Sequence, residues 1–303
     1  MVMTTTYANM VDEVILNLSG YTLRQDRTTH LTQDVTSSGL TLNFGSVENI
    51  GKGSIEIEDE LIWLDSYDRV GSTAAIAPYG RGYNGTTAAA HATNTKVTVA
   101  PTFPRASVKR AINDTIDAVF PTLYGVGVHT FTYNSVKTAY SIPAEAQTIL
   151  YASWKTTGPT EEWLPVKGWR HDPLANSTSF TTGNTVSIYD RIEAGRTVQI
   201  YYTKKPSTLT GQATSAVFET VTGLPSSTRD VIIYGAAYRL ASFIDPGRLN
   251  YSSAEADQAD SKIQYGSGAS TTRFLLALYQ QRLNEESKKL RDVYPIRVHY
   301  TRY

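Results

Sequence analysis

Apolar residues recur at helical spacing in three widely separated stretches of the chain. The first predicted helix runs from Thr4 to Leu18, with Thr6 as its cap and Gly20 as its stop. The second follows Pro104 and covers Arg105 to Phe120, since proline is favoured at a helix start. The third, Thr228 to Ile244, is apolar nearly all round, which indicates a central, buried helix.

Two other stretches alternate apolar and polar residues, which indicates strands. Residues 31–103 contain a predicted hairpin, in which Ser54–Ile57 and Leu61–Leu64 flank a polar turn, and a further strand at Lys96–Val99. Residues 126–206 contain at least four strand patterns separated by Gly, Pro and Asn. These patterns predict a small antiparallel barrel and then a sandwich-like module, with Lys204–Gly223 as a connector.

The C-terminal region changes character twice. A polar helix is predicted over Ser253–Tyr265, and a terminal helix begins near Ser270. Its apolar face ends after Leu283, so Asn284–Val293 is expected to project from the helices. Pro295 ends the helix, and the last residues alternate as in an extended strand for which the chain offers no partner.

Together these elements predict an α+β fold: a helical bundle that carries two inserted antiparallel β modules and an extended C-terminal tail. The predicted segments are a bundle helix in 1–24, a small β-barrel insert in 25–103, a bundle helix in 104–125, the second β module and connector in 126–223, the remaining bundle helices in 224–294 and a docking tail in 295–303.

Composition narrows the classes of protein without selecting one. The 303 residues include no cysteine, which excludes disulfides and thiolate metal sites. The formal net charge is zero, so bulk charge does not attract the chain to nucleic acid or to an anionic membrane. We see no signal peptide and no apolar run of about 20 residues, and we expect a soluble protein made in a cytoplasm.

No pattern of residues in the sequence predicts catalysis, a cofactor or a metal site. The five histidines (30, 91, 129, 171 and 299) lack the spacing of metal ligands. The carboxylates of Glu56, Glu58, Asp59 and Glu60 are explained by a solvated hairpin. A hydrolase acting on cell-wall sugars remains an alternative, although no acid pair is placed for it. We therefore expect no enzymatic activity and no cofactor.

Two features have competing interpretations. Gly80, Gly82 and Gly85 resemble a phosphate loop, but strands follow them where that motif needs a helix, so a structural turn with positive φ is the better interpretation. In the second β module, Trp154 is expected in the core, whereas Trp163 and Trp169 lie in polar segments and could be exposed. Exposed aromatic residues on a sheet can stack on sugars.

Several segments in this order resemble the head-to-tail adaptor, or connector, proteins of long-tailed bacteriophages. They are G-S-I-E-I-E-D-E-L-I-W-L from residue 53, G-R-G-Y-N-G-T-T-A-A-A-H at 80–91, V-T-V-A-P-T-F-P-R-A-S-V-K-R-A-I-N-D-T-I at 97–116 and L-R-D-V-Y-P-I-R-V-H-Y-T-R at 290–302. Residues 126–206 carry no motif that matches that family.

The resemblance implies a structural role in the neck of the virion, after assembly in the host cytoplasm. Such adaptors form a ring, typically of twelve copies, below the portal protein. The ring extends the channel through which double-stranded DNA passes without specific binding, and it is a platform for stopper or tail-completion proteins. By the same resemblance, portal binding falls on Tyr294, Pro295, Ile296, Arg297, Val298, His299, Tyr300 and Arg302.

The tail carries a local positive charge, because residues 282–303 include six Lys or Arg and three Asp or Glu. Strong basic contacts would hinder DNA sliding in a channel, so we expect the tail to contact protein. The main alternative is another phage tail or receptor-binding structural protein with a carbohydrate-binding β module. The tryptophans of residues 126–206 support this alternative.

Overall fold

The computed structural model describes residues 5–20, 26–158, 160–242 and 267–295, with side chains in the last range from residue 272 onward. This part of the chain is a mixed α and β protein with five α-helices and three antiparallel sheets. The helices are α1 (Tyr7–Ser19), α2 (Arg105–Ala118), α3 (Phe218–Thr222), α4 (Arg229–Ala241) and α5 (Ser267–Val293). The helix predicted over Ser253–Tyr265 lies outside the described residues.

The three helices predicted from apolar spacing are present as α1, α2 and α4. In each of them, most of the apolar residues on which the prediction rests are buried. Met10, Val11, Val14 and Leu18 of α1 are fully buried, as are Val108, Ile112 and Ile116 of α2. In α4, Val231, Ile232, Ala236 and Ala237 are buried on more than one face. Helix α2 begins directly after Pro104, where the missing N–H needs no partner.

The first sheet has six strands in the order β1-β6-β3-β4-β5-β2. Its strands are β1 (Arg27–His30), β2 (Thr41–Asn43), β3 (Gly53–Ile57), β4 (Glu60–Asp68), β5 (Thr73–Ile76) and β6 (Lys96–Val99). The predicted hairpin is confirmed as β3 and β4, which pair with Ile55 opposite Ile62. Strands β1 and β2 are the outermost strands of this sheet, and the residues just after them are bonded to each other. Leu31 and Phe44 form an antiparallel bridge, and the Gly45 N–H donates to the His30 carbonyl at 3.0 Å.

Residues 125–204 form the other two sheets, of four and three strands. The strands are β7 (Gly125–Thr132), β8 (Ala139–Ser141), β9 (Thr148–Lys155), β10 (Trp163–Pro165), β11 (Trp169–Asp172), β12 (Thr185–Ile188) and β13 (Thr197–Lys204). The four-stranded sheet has the order β10-β9-β13-β7 and the three-stranded sheet the order β11-β12-β8. Both sheets contribute to one buried cluster, which includes Tyr140 and Val186 from one sheet and Val198 and Ile200 from the other.

The stretch predicted as a connector, Lys204–Gly223, contains structure of its own. Helix α3 occupies Phe218–Thr222, and Phe218 is fully buried. The Phe218 N–H donates to the Thr5 carbonyl at 3.0 Å, and the Tyr7 N–H donates to the Ala216 carbonyl at 2.9 Å. These bonds tie residues 5–7 to the segment before α3.

The contacts divide the chain into two compact units. One contains the described residues of 5–7, 115–232 and 277–295, and the other those of 8–114 and 233–276. The predicted segment boundaries follow sequence patterns instead and remain predictions. None of the helices in the described ranges has the length and apolar character needed to cross a membrane.

Candidate functional site

The segment assigned to portal binding begins where α5 ends. Tyr294 is half-buried, and its N–H donates to the Leu290 carbonyl at 2.9 Å, which extends the helical hydrogen bonding by one residue. Pro295 is exposed. The other predicted contact residues lie outside the described residues: Ile296, Arg297, Val298, His299, Tyr300 and Arg302.

The expectation that Asn284–Val293 projects away from the fold is wrong. Glu286, Ser287 and Leu290 are 2%, 6% and 4% exposed, so the second half of α5 is packed on one side. The buried and half-buried positions continue a helical stripe through Tyr279, Leu283, Glu286, Leu290 and Tyr294. The stripe was missed because its central residue is a charged one.

Polar contacts offset the free-energy cost of burying the Glu286 carboxylate. The Ser227 hydroxyl donates to Oε2 of Glu286 at 2.5 Å, and Nζ of Lys289 donates to Oε1 at 2.6 Å. Arg282 lies 3.5 Å from the same carboxylate and also 3.5 Å from Asp230 of α4. Burial raises the pKa of Glu286, but the bonds from Lys289 and Ser227 outweigh it, so the pKa is lowered. The carboxylate therefore connects α5 to the start of α4.

A cavity of about 460 Å³ opens beside the end of α5. Leu150 and Thr203 of the four-stranded sheet line it, as do Phe120, Pro121 and Tyr124 after α2. Arg291 and Tyr294 complete the wall on the side of α5. The base of the predicted tail is thus part of a packed surface.

The glycine-rich segment surrounds a buried ionic cluster of Arg81, Glu60 and His91. The guanidinium of Arg81 binds Glu60 through both carboxylate oxygens, with Nε to Oε1 at 2.7 Å and Nη2 to Oε2 at 2.9 Å. Nε2 of His91 lies 2.8 Å from Oε2 of Glu60, and Nδ1 lies 2.9 Å from Oε2 of Glu58. The side chains of Arg81, Glu60 and His91 are 8%, 0% and 1% exposed.

The interpretation of the hairpin carboxylates as solvated holds for the exposed Glu58 but is wrong for Glu60 and Glu56. Glu60 begins β4 and is buried, and Glu56 of β3 is only 6% exposed. Burial raises the pKa of Glu60, but the bonds from Arg81, from the Ala89 and Gly82 N–H groups and from His91 outweigh it and lower the pKa to about 2. The carboxylate is therefore ionised at neutral pH.

The three glycines serve this geometry in different ways. Gly82 has φ 59 and Gly85 has φ 80, so both occupy left-handed conformations. A Cβ on Gly80 would lie 2.5 Å from the Trp63 carbonyl oxygen, which leaves no room for a side chain. These positions bring the Gly82 N–H within 2.9 Å of the Glu60 carboxylate.

Glu56 joins the six-stranded sheet to the start of α2 within the same compact unit. Its Oε1 accepts the Arg105 N–H at 2.6 Å, where a free helical N–H group needs a partner. Burial raises the pKa of Glu56 to about 7, although the Arg105 N–H and charge lower it in part. Arg105 in turn donates to Asp12 of α1 at 2.5 Å and to Asp59 at 3.3 Å.

The described residues contain no group of three His, Asp or Glu side chains placed to hold a metal ion. Trp154 and Trp169 are partly buried against the core of the second β region, so Trp169 is packed although its segment is polar. Trp163 is 44% exposed. Sequence reasoning missed the cluster of Arg81, Glu60 and His91, although a lone arginine between two glycines is a signal that could have suggested it.

The match to a known family covers most of the elements described above. The family model described as SU10 adaptor protein matches residues 86–289, which is more than half of the chain. The matched range includes α2, the second β region, α4 and most of α5, and it therefore covers residues 126–206, for which the sequence offered no motif. No curated protein matches the chain. The chain therefore belongs to the SU10 adaptor protein family, a family of phage structural adaptor proteins.

Proposed function

We propose that the protein is the head-to-tail adaptor of a long-tailed phage and works in the neck of the virion. Copies of the chain form a ring under the portal protein, with twelve expected from the resemblance. The ring extends the DNA channel and is the platform for the stopper or tail-completion protein. In this proposal the helices form the bundle of the ring, the two β regions are its barrel and sandwich inserts, and the role requires no catalysis.

The packing of α5 is the observation that carries this proposal. A docking tail works as a connector only if its base is fixed to the rest of the subunit. Leu290 and Glu286 are buried, and the contacts of Glu286 reach Ser227, just before α4. The helix ends at Val293 and Pro295 is exposed, which supports a tail that begins at Pro295 next to a fixed base.

The tail sequence suits addition to a partner's surface. Ile296, Val298 and Tyr300 alternate with Arg297, His299 and Thr301. An extended segment of this kind gains backbone hydrogen bonds from a sheet edge or groove, and its alternate side chains enter pockets. We assign the portal contact to this segment and leave the duplex DNA in the channel without specific contacts.

The experiment uses two matched substitutions on opposite sides of the tail. Val298→Asp places a charge on the apolar side, and Thr301→Asp places the same charge on the polar side. We expect Val298→Asp, and deletion of residues 295–303, to abolish co-sedimentation with portal particles, because a buried carboxylate without a partner is costly. Thr301→Asp should still co-sediment.

All three variants should melt within a few degrees of the unmodified protein, because the packed part of α5 ends before the tail. Co-sedimentation of the truncated protein would show that the portal contact lies elsewhere. Loss of binding by both point variants would contradict the assignment of the apolar side as the contact side.

A further inference from the structure

The outer face of the four-stranded sheet carries a slot that the adaptor role does not use. The slot has a volume of about 280 Å³. Its lining includes Tyr151 and Ser153 of β9, Gln199 and Tyr201 of β13, and Trp163 and Pro165 of β10. All of these residues belong to one compact unit of the chain.

Strand alternation places these side chains away from the core. Val198, Ile200 and Tyr202 of β13 are buried in the shared cluster of the two sheets, so Gln199 and Tyr201 between them lie on the opposite face. The pairing of β13 with β9 sets Tyr201 opposite Tyr151 and Gln199 opposite Ser153. The slot is therefore a feature of the outer face.

The slot has aromatic residues at its two ends and polar side chains between them. The rings of Tyr151 and Tyr201 stack with centroids 4.2 Å apart and an interplanar angle of 17°. Trp163 lies on the neighbouring strand and is 44% exposed, which is a large apolar surface to leave in water. Between them, the Gln199 amide and the Ser153 hydroxyl provide both donors and acceptors.

We propose that this slot binds a neutral carbohydrate of one or two sugar rings. A sugar presents apolar C–H faces to aromatic rings and hydroxyl groups to amide and hydroxyl side chains, and both kinds of group line the slot. Ligand pockets commonly start at ~300 Å³, so this slot fits a small ligand. The proposal goes beyond the adaptor role and does not depend on it.

The slot lacks the charged side chains that a strongly charged ligand would need. None of the residues lining it is charged. Lys155, which is paired with Trp163 across the strands, does not line the slot and forms an ion pair with Glu161. A phosphate or carboxylate ligand would need arginine or lysine side chains here. A proline-rich peptide also uses aromatic grooves, but it needs several successive contacts along an extended groove.

The test measures binding of neutral sugars to the full-length protein by saturation-transfer NMR and calorimetry. The probes are maltose, cellobiose, lactose and N,N′-diacetylchitobiose, with a decaproline peptide as the competing class. We expect at least one of the sugars to bind. Trp163→Ala and Gln199→Leu should each weaken that binding at least about tenfold, since they remove a stacking wall and a hydrogen-bonding group.

The matched control is Tyr189→Ala, which removes an aromatic ring that is 59% exposed in the same β region and does not line the slot. This variant should bind the sugar as the unmodified protein does, and circular dichroism should show all three variants folded. Absence of binding by all four sugars, or sugar binding that survives Trp163→Ala, overturns the proposal. Binding of decaproline alone overturns it in favour of a peptide site.

Discussion

At the scale of single residues, the cluster of Arg81, Glu60 and His91 explains the spacing of the glycine-rich segment. Nη1 of Arg81 donates to the carbonyls of Thr36 and Gly39 at 2.7 and 2.9 Å, and Nη2 also donates to that of Ala89 at 2.5 Å. With the two bonds to Glu60, every guanidinium N–H has an acceptor. One side chain thus fastens two loop segments, one at residues 36–39 and one at Ala89, to the start of β4.

We predict that Glu60→Gln destabilises the protein by roughly 3–5 kcal/mol, because it leaves the buried Arg81 charge uncompensated. The loss is a large fraction of the about 5–15 kcal/mol that stabilises a typical protein. Urea unfolding followed by circular dichroism measures it. The matched control is Asp65→Asn, which removes the carboxylate that pairs with Lys52 in an exposed ion pair, where about 1 kcal/mol or less is expected. Equal effects of the two variants would contradict the structural role of the cluster.

From the raised pKa of Glu56, we predict that the stability of the protein decreases as the pH rises. Its pKa is about 7 in the folded protein against an ordinary value of 4.5, so the folded state binds the proton more tightly. This contribution to stability is complete below about pH 4.5 and is lost as the pH rises through about 7.

The variant Glu56→Gln should remove that dependence, because the amide stays neutral and its oxygen still accepts the Arg105 N–H. Relative to the variant, the unmodified protein should lose about 2–3 kcal/mol between pH 5 and pH 8. Urea unfolding of both proteins at the two pH values gives the difference directly. If the difference between the two proteins stays constant with pH, Glu56 does not titrate as the geometry requires.

At the scale of helices and strands, the sequence predicts the elements whose apolar residues are regularly spaced. Helix α1, helix α2 and the β3–β4 hairpin follow from periodicity, since their buried faces are almost wholly apolar. Strands β1 and β5 were missed because R-T-T-H and T-A-A-I hold few large apolar residues. Strand β1 takes its place by pairing with β6, far along the chain, and β5 lies between the adjacent β4 and the more distant β2.

The second half of α5 shows why the candidate site was only partly predictable. Polarity after Leu283 suggested exposure, but Glu286 and Ser287 are buried, and Ser227, Arg282 and Lys289 contact the Glu286 carboxylate. The bond from Ser227 comes from a residue 59 positions away in the chain, which a periodicity argument on one helix does not include. The cluster around Glu60 was missed for the same reason.

At the scale of the whole molecule, the chain belongs to a family of phage structural adaptor proteins, and in the proposed role its last step of assembly takes place on the portal. The chain has no net charge to keep its copies apart. Association costs each copy translational and rotational freedom, which contacts with another copy or with a partner must offset. In the proposed role, the balance of these two effects decides whether the ring forms before or after portal binding.

We predict that the free protein is monomeric and that the ring forms only on the portal, because in the proposed role the portal contact of residues 294–302 exists only there. Light scattering of the purified protein should give a single species near 33.3 kDa. Electron microscopy of portal particles mixed with the protein should show a ring on the portal, and the same mixture with residues 295–303 deleted is the control without one. Rings of the free protein would show instead that contacts between subunits suffice and that the tail only attaches a preformed ring.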